Sequence, residues 1–142
     1  MSQITKKSSE TKKIAKDFAK DLKPQEKATV LGLKGDLGAG KTTFIQGIAE
    51  GLGIKEKVLS PTFVIMKRFK IPREDFDNFY HIDCYRIKNE KDIEELNFKE
   101  IIKNPKNIIA IEWPERIKKA LPKNTKFLEF KFIDQNTREI AF

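Results

Sequence analysis

Gly35-Asp36-Leu37-Gly38-Ala39-Gly40-Lys41-Thr42 joins three glycines, a lysine and a hydroxyl in the spacing G-x-x-x-x-G-K-[ST]. Glycines let a backbone curl tightly, so that successive N–H groups point inward at phosphate oxygens, with a helix N-terminus behind them. Lys41 would reach the outer phosphates of a nucleotide and Thr42 would offer its hydroxyl to Mg²⁺. Two carboxylates would complete such a site. Asp83 lies toward the end of the alternating run Phe79 to Arg86, and Glu112 follows the apolar run Ile108-Ile109-Ala110-Ile111. Ligand-binding groups of open α/β sheets sit at C-terminal strand ends, so either residue is a candidate to hold Mg²⁺ directly or through water. Glu112 ends the more hydrophobic run; the division of labour between the two stays open. Thr62, in Ser60-Pro61-Thr62-Phe63, reads either as a γ-phosphate or metal sensor on a switching loop or as an ordinary turn residue. His81, the sole histidine, excludes a multi-histidine zinc site within one chain and is expected to support Asp83.

The elements that must hold these residues follow from periodicity. Thr29 to Leu33 reads as a buried parallel strand that Gly32 weakens. Phe44, Ile45, Ile48, Ala49 and Leu52 recur at helical spacing, with Gly51 and Gly53 as stop signals. Upstream, the spacing predicts a helix from Ser8 to Leu22, capped by Ser8 or Ser9, with Ile14, Ala15, Phe18, Ala19 and Leu22 on its apolar face. Strands are expected over Phe63 to Ile71 and Phe79 to Arg86, the second with Phe79, His81, Asp83 and Tyr85 on one face. A helix from an Asn89 cap through Ile102 precedes Pro105, and Pro114 opens a short helix reaching Leu121. Phe127 to Ile133 and Thr137 to Phe142 make an antiparallel hairpin around Asp134-Gln135-Asn136.

At 142 residues the chain has the length of one domain, expected to span 1–142. No apolar run approaches the roughly 20 residues of a membrane span, and the polar stretch Met1 to Lys13 lacks the apolar segment of a secretory signal. Cys84, the one cysteine, forms no internal disulfide; the expected location is cytoplasmic. A net charge of +8 invites a nucleic-acid reading, but the charge is mostly lysine spread along the chain, which commonly solvates a surface.

Taken together, the phosphate loop, Ser60-Pro61-Thr62-Phe63, His81-x-Asp83-x-Tyr85-Arg86 and Ile111-Glu112-Trp113-Pro114-Glu115 resemble the bacterial TsaE (YjeE) family, from Ser9-Glu10-Thr11 to Arg138-x-Ile140. The order and spacing of these motifs carry the resemblance; none after the loop is specific alone. The resemblance implies an α/β, P-loop NTPase-like three-layer fold with a mixed central sheet and a C-terminal antiparallel hairpin. It implies a Mg²⁺-dependent ATPase needed for threonylcarbamoyladenosine in tRNAs reading codons that begin with adenine. That ATPase acts beside TsaD, which transfers the group, and TsaB, the scaffold of TsaD. Its cofactors would be ATP and Mg²⁺, and contact with tRNA would be indirect. By position, the amides of Gly35, Asp36, Leu37, Gly38, Ala39 and Gly40 with Lys41 would bind phosphates. Thr42 would ligate Mg²⁺, Thr43 would contact the inner phosphate and Thr11 would lie near the adenine. Thr62 would belong to a switch-like loop, Asp83 and Glu112 would serve metal and water, and Trp113 would stand beside them among the nucleotide-binding residues of a partner-facing active site. Phe69, where the family often has tyrosine, and Glu26-Lys27, in place of a glycine, are modest departures. The competing functions are a small-molecule P-loop kinase, which would want a lid insertion the sequence does not show, a guanine-specific switch without its Asn-Lys-x-Asp run, and a directly RNA-binding module.

Overall fold

The computed structural model describes residues 2–59 and 65–142. In chain order the elements are β1 (Ser2–Thr5), α1 (Ser8–Lys20), β2 (Thr29–Gly35), α2 (Lys41–Gly51), β3 (Met66–Lys70), β4 (Asn78–Asp83), α3 (Lys91–Glu94), α4 (Phe98–Lys103), β5 (Asn107–Glu112), a 3-10 segment (Pro114–Ala120), β6 (Lys126–Asp134) and β7 (Thr137–Ala141). Among the described residues the strands form one seven-stranded sheet in the order β1-β7-β6-β2-β5-β4-β3. β2 pairs in parallel with both β5 and β6, and β4 pairs in parallel with β5. The β1–β7, β6–β7 and β3–β4 pairs are antiparallel, so the sheet is mixed and the expected C-terminal hairpin is present.

Alternation along the central strands divides the apolar residues between two faces. Leu31, Leu33, Ile108, Ala110, Leu128 and Phe130 join α1 and α2 in one core cluster. Val30, Ile109, Ile111, Tyr80 and Ile82 join α3, α4 and the 3-10 segment in the other. All six residues of β5 are buried, as a strand covered on both faces requires. Each Leu, Ile or Phe so buried contributes roughly 1.5–3 kcal/mol. Phe44 of α2 lies edge-on to Phe130 of β6, centroids 5.3 Å apart, and within 6.0 Å of Phe18 of α1. The helix after the phosphate loop is thereby anchored to α1 and to the C-terminal hairpin at once. Gly32, which weakened the sequence signal for β2, answers a close approach: a Cβ there would stand 2.9 Å from the Phe127 ring and 3.2 Å from Pro114.

Several boundaries differ from expectation. β1 carries no clear alternation and escaped notice; it pairs with β7, Thr5 opposite Arg138. Neither Ser8 nor Ser9 caps α1. Lys7 occupies that position without a side-chain cap, and the Lys6 N–H is taken by the Glu10 carboxylate at 3.0 Å. The helix expected from Asn89 to Ile102 is two short helices, because Asn97 adopts φ 59° between them. β4 ends at Asp83 rather than Arg86, since the Asp83 carboxylate accepts the Tyr85 N–H at 3.0 Å and turns the chain. β3 covers Met66–Lys70 of the strand expected over 63–71, whose first two residues lie outside the described residues.

The α1–α2 contact makes one prediction. A Cβ on Gly47 would lie 2.6 Å from Ala15 Cβ and 2.7 Å from the Lys12 carbonyl. Alanine favours a helix over glycine by about 1 kcal/mol, but overpacking a tight contact costs about 1–3 kcal/mol. Gly47→Ala is therefore expected to lower the melting temperature, whereas a rise would show that α1 yields freely.

Candidate nucleotide site

The G-x-x-x-x-G-K-T sequence forms the connection from β2 to α2. The Asp36 carbonyl accepts the Ala39 N–H at 3.2 Å, closing a tight turn, and Gly38 and Gly40 take φ 80° and 100°. A residue with a Cβ is strained at such angles, which explains the glycines. Lys41 is the first residue of α2 and 4% exposed. Its Nζ donates to the Gly35 carbonyl at 2.5 Å and lies 4.0 Å from the Trp113 ring centroid. Burial lowers the Lys41 pKa, against the opposing pull of Glu112, Glu115, Asp83 and Asp36.

The two carboxylates reach the loop because their strands are neighbours in register. Leu33 of β2 pairs with Glu112 of β5, and Glu112 pairs with Asp83 of β4. Glu112 shares the face of Ile108 and Ala110, which is the α2 side of the sheet. It is 5% exposed, and the Thr42 hydroxyl is 3.5 Å from its Oε1. The other oxygen, Oε2, lies 2.7 Å from His81 Nε2, while His81 Nδ1 has no partner among the described residues. A carboxylate only accepts, so Nε2 carries the proton and donates to Glu112. The expectation that His81 supports Asp83 is corrected: the histidine belongs to Glu112, whose longer side chain folds back to it, and Asp83 is held instead by the Tyr85 N–H.

A cavity of about 510 Å³ opens over this arrangement, lined by Leu37, Gly38 and Gly40 of the loop, by Lys41, Thr42 and Thr43, and by Asp83, Glu112 and Trp113. Thr11 lines it from α1, its hydroxyl 2.8 Å from that of Thr5. Trp113 stands in the left-handed region at φ 58° with its ring centroid 5.2 Å from that of Tyr85. Gly35, Asp36 and Ala39 shape the loop without lining the cavity. Thr62 lies outside the described residues. The wall opposite the carboxylates, made by Thr5, Lys6 and Lys7 with Gln135, Asn136 and Arg138, was assigned no site role from sequence. Its parts are far apart in the chain, and only the β1–β7 pairing brings them together.

Could Mg²⁺ fit? Thr42, Asp83 and Glu112 supply oxygen donors only, the chemistry Mg²⁺ prefers. Among the described residues no group of three or more His, Cys, Asp or Glu is placed to hold a metal alone. That suits an ion bound through one or two protein oxygens together with phosphates and waters.

Asp83 carries a pH consequence. Burial raises its pKa above the ordinary carboxylate value, opposed by the Tyr85 N–H, and the Glu112 charge adds to the rise. The folded state thus holds the proton to higher pH than the unfolded chain, so ionising Asp83 removes stability as pH rises from its unfolded value through its folded one. In the metal-free protein, Asp83→Asn is expected to raise the melting temperature at neutral pH. The gain should vanish as pH falls below the ordinary carboxylate pKa; a gain independent of pH would count against this origin.

The model of the family described as threonylcarbamoyl adenosine biosynthesis protein TsaE matches residues 5–140. The chain belongs to the TsaE family. It is 42% identical over 130 residues to the tRNA threonylcarbamoyladenosine biosynthesis protein TsaE of Rickettsia prowazekii, covering 91% of this chain and 85% of that one. Its Bacillus subtilis namesake is 41% identical over 133 residues, covering 94% and 78%. The crystal structure of Bacillus subtilis YdiB superposes with a TM-score of 0.76 at 35% identity, over 99% of this chain and 82% of that one. TsaE proteins take part in tRNA threonylcarbamoyladenosine biosynthesis. Among the described residues no helix is long and apolar enough to cross a membrane.

Proposed function

We propose that this TsaE chain is a Mg²⁺-dependent ATPase with a P-loop NTPase-like fold, acting in the cytoplasm as an accessory factor to TsaD and TsaB. One observation carries the reading: Lys41, the Thr42 hydroxyl and the His81-held Glu112 carboxylate meet over a single cavity at the mouth of a G-x-x-x-x-G-K-T loop. Phosphoryl transfer asks little covalent chemistry of a protein, so positioning and charge stabilisation suffice. The loop amides and Lys41 bind the phosphates, and the Thr42 hydroxyl with a carboxylate of the acidic pair would hold the metal. When bound, Mg²⁺ would supply neutralisation of the phosphate charge. Asp83 and Glu112 orient water toward the γ-phosphate, and His81 keeps Glu112 in place. Trp113, over Lys41 at the rim, closes the site toward a partner.

Reconstitution tests the reading. Adding the chain and ATP to TsaB, TsaD, threonylcarbamoyl donor and tRNA is expected to sustain repeated rounds of modification, with phosphate appearing in water. Phosphate appearing on a small-molecule acceptor would instead mark a kinase, and modification indifferent to the chain would remove the accessory role.

A further inference from the structure

Arg138, on the last strand, reaches the phosphate loop from the side opposite the carboxylates. In the sheet order, β6 and β7 flank β2 on one side and β5 and β4 on the other. The Arg138 Nε donates to the Gly38 carbonyl of the loop at 2.9 Å, and its Nη1 donates to the Asp134 and Thr137 carbonyls of the hairpin turn. The Phe132 ring lies under the guanidinium, 4.5 Å from ring centroid to Cζ. Three of the five N–H donors of the fork are thereby committed to carbonyls that fix its plane. The Nη2 group has no protein partner among the described residues, and the side chain lines the cavity.

A guanidinium pinned on two nitrogens, with its third turned to no protein group beside a phosphate loop, is pre-organised for an anionic oxygen. The reacting end of a triphosphate belongs near Glu112 and Asp83, on the far side of β2. We infer that Arg138 is a positioning and affinity residue for an inner phosphate of the nucleotide, holding Gly38 through Nε and the ligand through Nη2. The inference rests on the ATPase reading, and it deepens that reading by assigning a phosphate contact to the C-terminal hairpin. Acting on the part of the nucleotide that ATP and ADP share, Arg138 governs binding and leaves the chemical step to the opposite wall.

The test is calorimetric titration of the full chain with MgADP and with a nonhydrolysable MgATP analogue, alongside steady-state hydrolysis and thermal melting. Arg138→Ala is expected to raise the Kd of both nucleotides by the same factor, about 10-fold or more for the loss of a charge-assisted hydrogen bond. The loss should appear in KM while kcat changes little. Arg138→Lys keeps a charge without the fork and should recover part of the MgADP affinity. Arg138→Lys as weak as Arg138→Ala would reduce the residue to a loop clamp and overturn the phosphate contact. An unchanged Kd, or a loss confined to the triphosphate or to kcat, would overturn it too. If the wild-type chain bound neither nucleotide, the ATPase reading itself would fall; wild-type binding with indifferent variants removes only the role of Arg138.

Discussion

Replacing Lys41 should abolish nucleotide turnover without harming the fold. Its ammonium is the only cation at the first turn of α2, and a fixed positive charge at a phosphoryl centre acts in a water-poor site where it counts most. Removing one such donor typically lowers the rate on the order of 100- to 1,000-fold, so Lys41→Met is expected to lose at least that in kcat/KM for ATP. The stability readout runs the other way. Burial opposes the charged form of Lys41, and methionine keeps an apolar stem in the same space beneath Trp113. The melting temperature of metal-free Lys41→Met should therefore hold or rise. Turnover near the wild-type level would show that the loop does not serve the reaction.

Glu112 separates catalysis from stability by the choice of substitution. Glu112→Gln preserves side-chain length and an oxygen able to accept from His81 Nε2, while removing the charge proposed to serve metal and water. The expected result is a fall in kcat on the order of 100-fold, with nucleotide affinity changed far less. Glu112→Ala should lose as much activity and also stability. It leaves the fully buried His81 without the acceptor 2.7 Å from its ring, and an unsatisfied buried donor costs about 1–3 kcal/mol. Chemical denaturation of the two variants beside wild type measures the difference. Equal loss of stability in both would mean that the charge, rather than the hydrogen bond, holds His81.

The phosphate loop and Glu112 were legible in the sequence because each is a local signal: a spaced glycine run, and a carboxylate ending an unbroken apolar strand. β5 and α2 themselves were legible for the same reason, since an unbroken apolar run and helical spacing need only neighbouring residues. What escaped depends on partners distant in the chain. The His81–Glu112 bond is invisible along the strand that carries His81, where Asp83 is the nearer acid, and appears only when β4 and β5 pair in register. β1 has too few residues to show a period, yet its pairing with β7 brings Thr5, Lys6 and Lys7 to the cavity beside Arg138. Asn97 broke a helix that apolar spacing had drawn as continuous, because spacing records which residues face a core and not where the backbone turns.

These features leave a division within the site. Lys41, Thr42, Asp83 and Glu112 gather on the side of β2 that faces β5 and β4, and the C-terminal hairpin closes the other side through Arg138 and the Gly38 carbonyl. The proposed roles, chemistry on one wall and retention on the other, match where the strands lie. Family membership places the chain in threonylcarbamoyladenosine biosynthesis; the proposed ATPase gives that membership a working part.

Phosphate release from ATP, followed in a single turnover with enzyme in excess and with TsaB and TsaD present, tests the central claim most directly. The account predicts release that needs Mg²⁺, places solvent oxygen in the phosphate, and disappears in Lys41→Met. Release that persists in that variant, or an absence of release from the wild-type chain under those conditions, would contradict it.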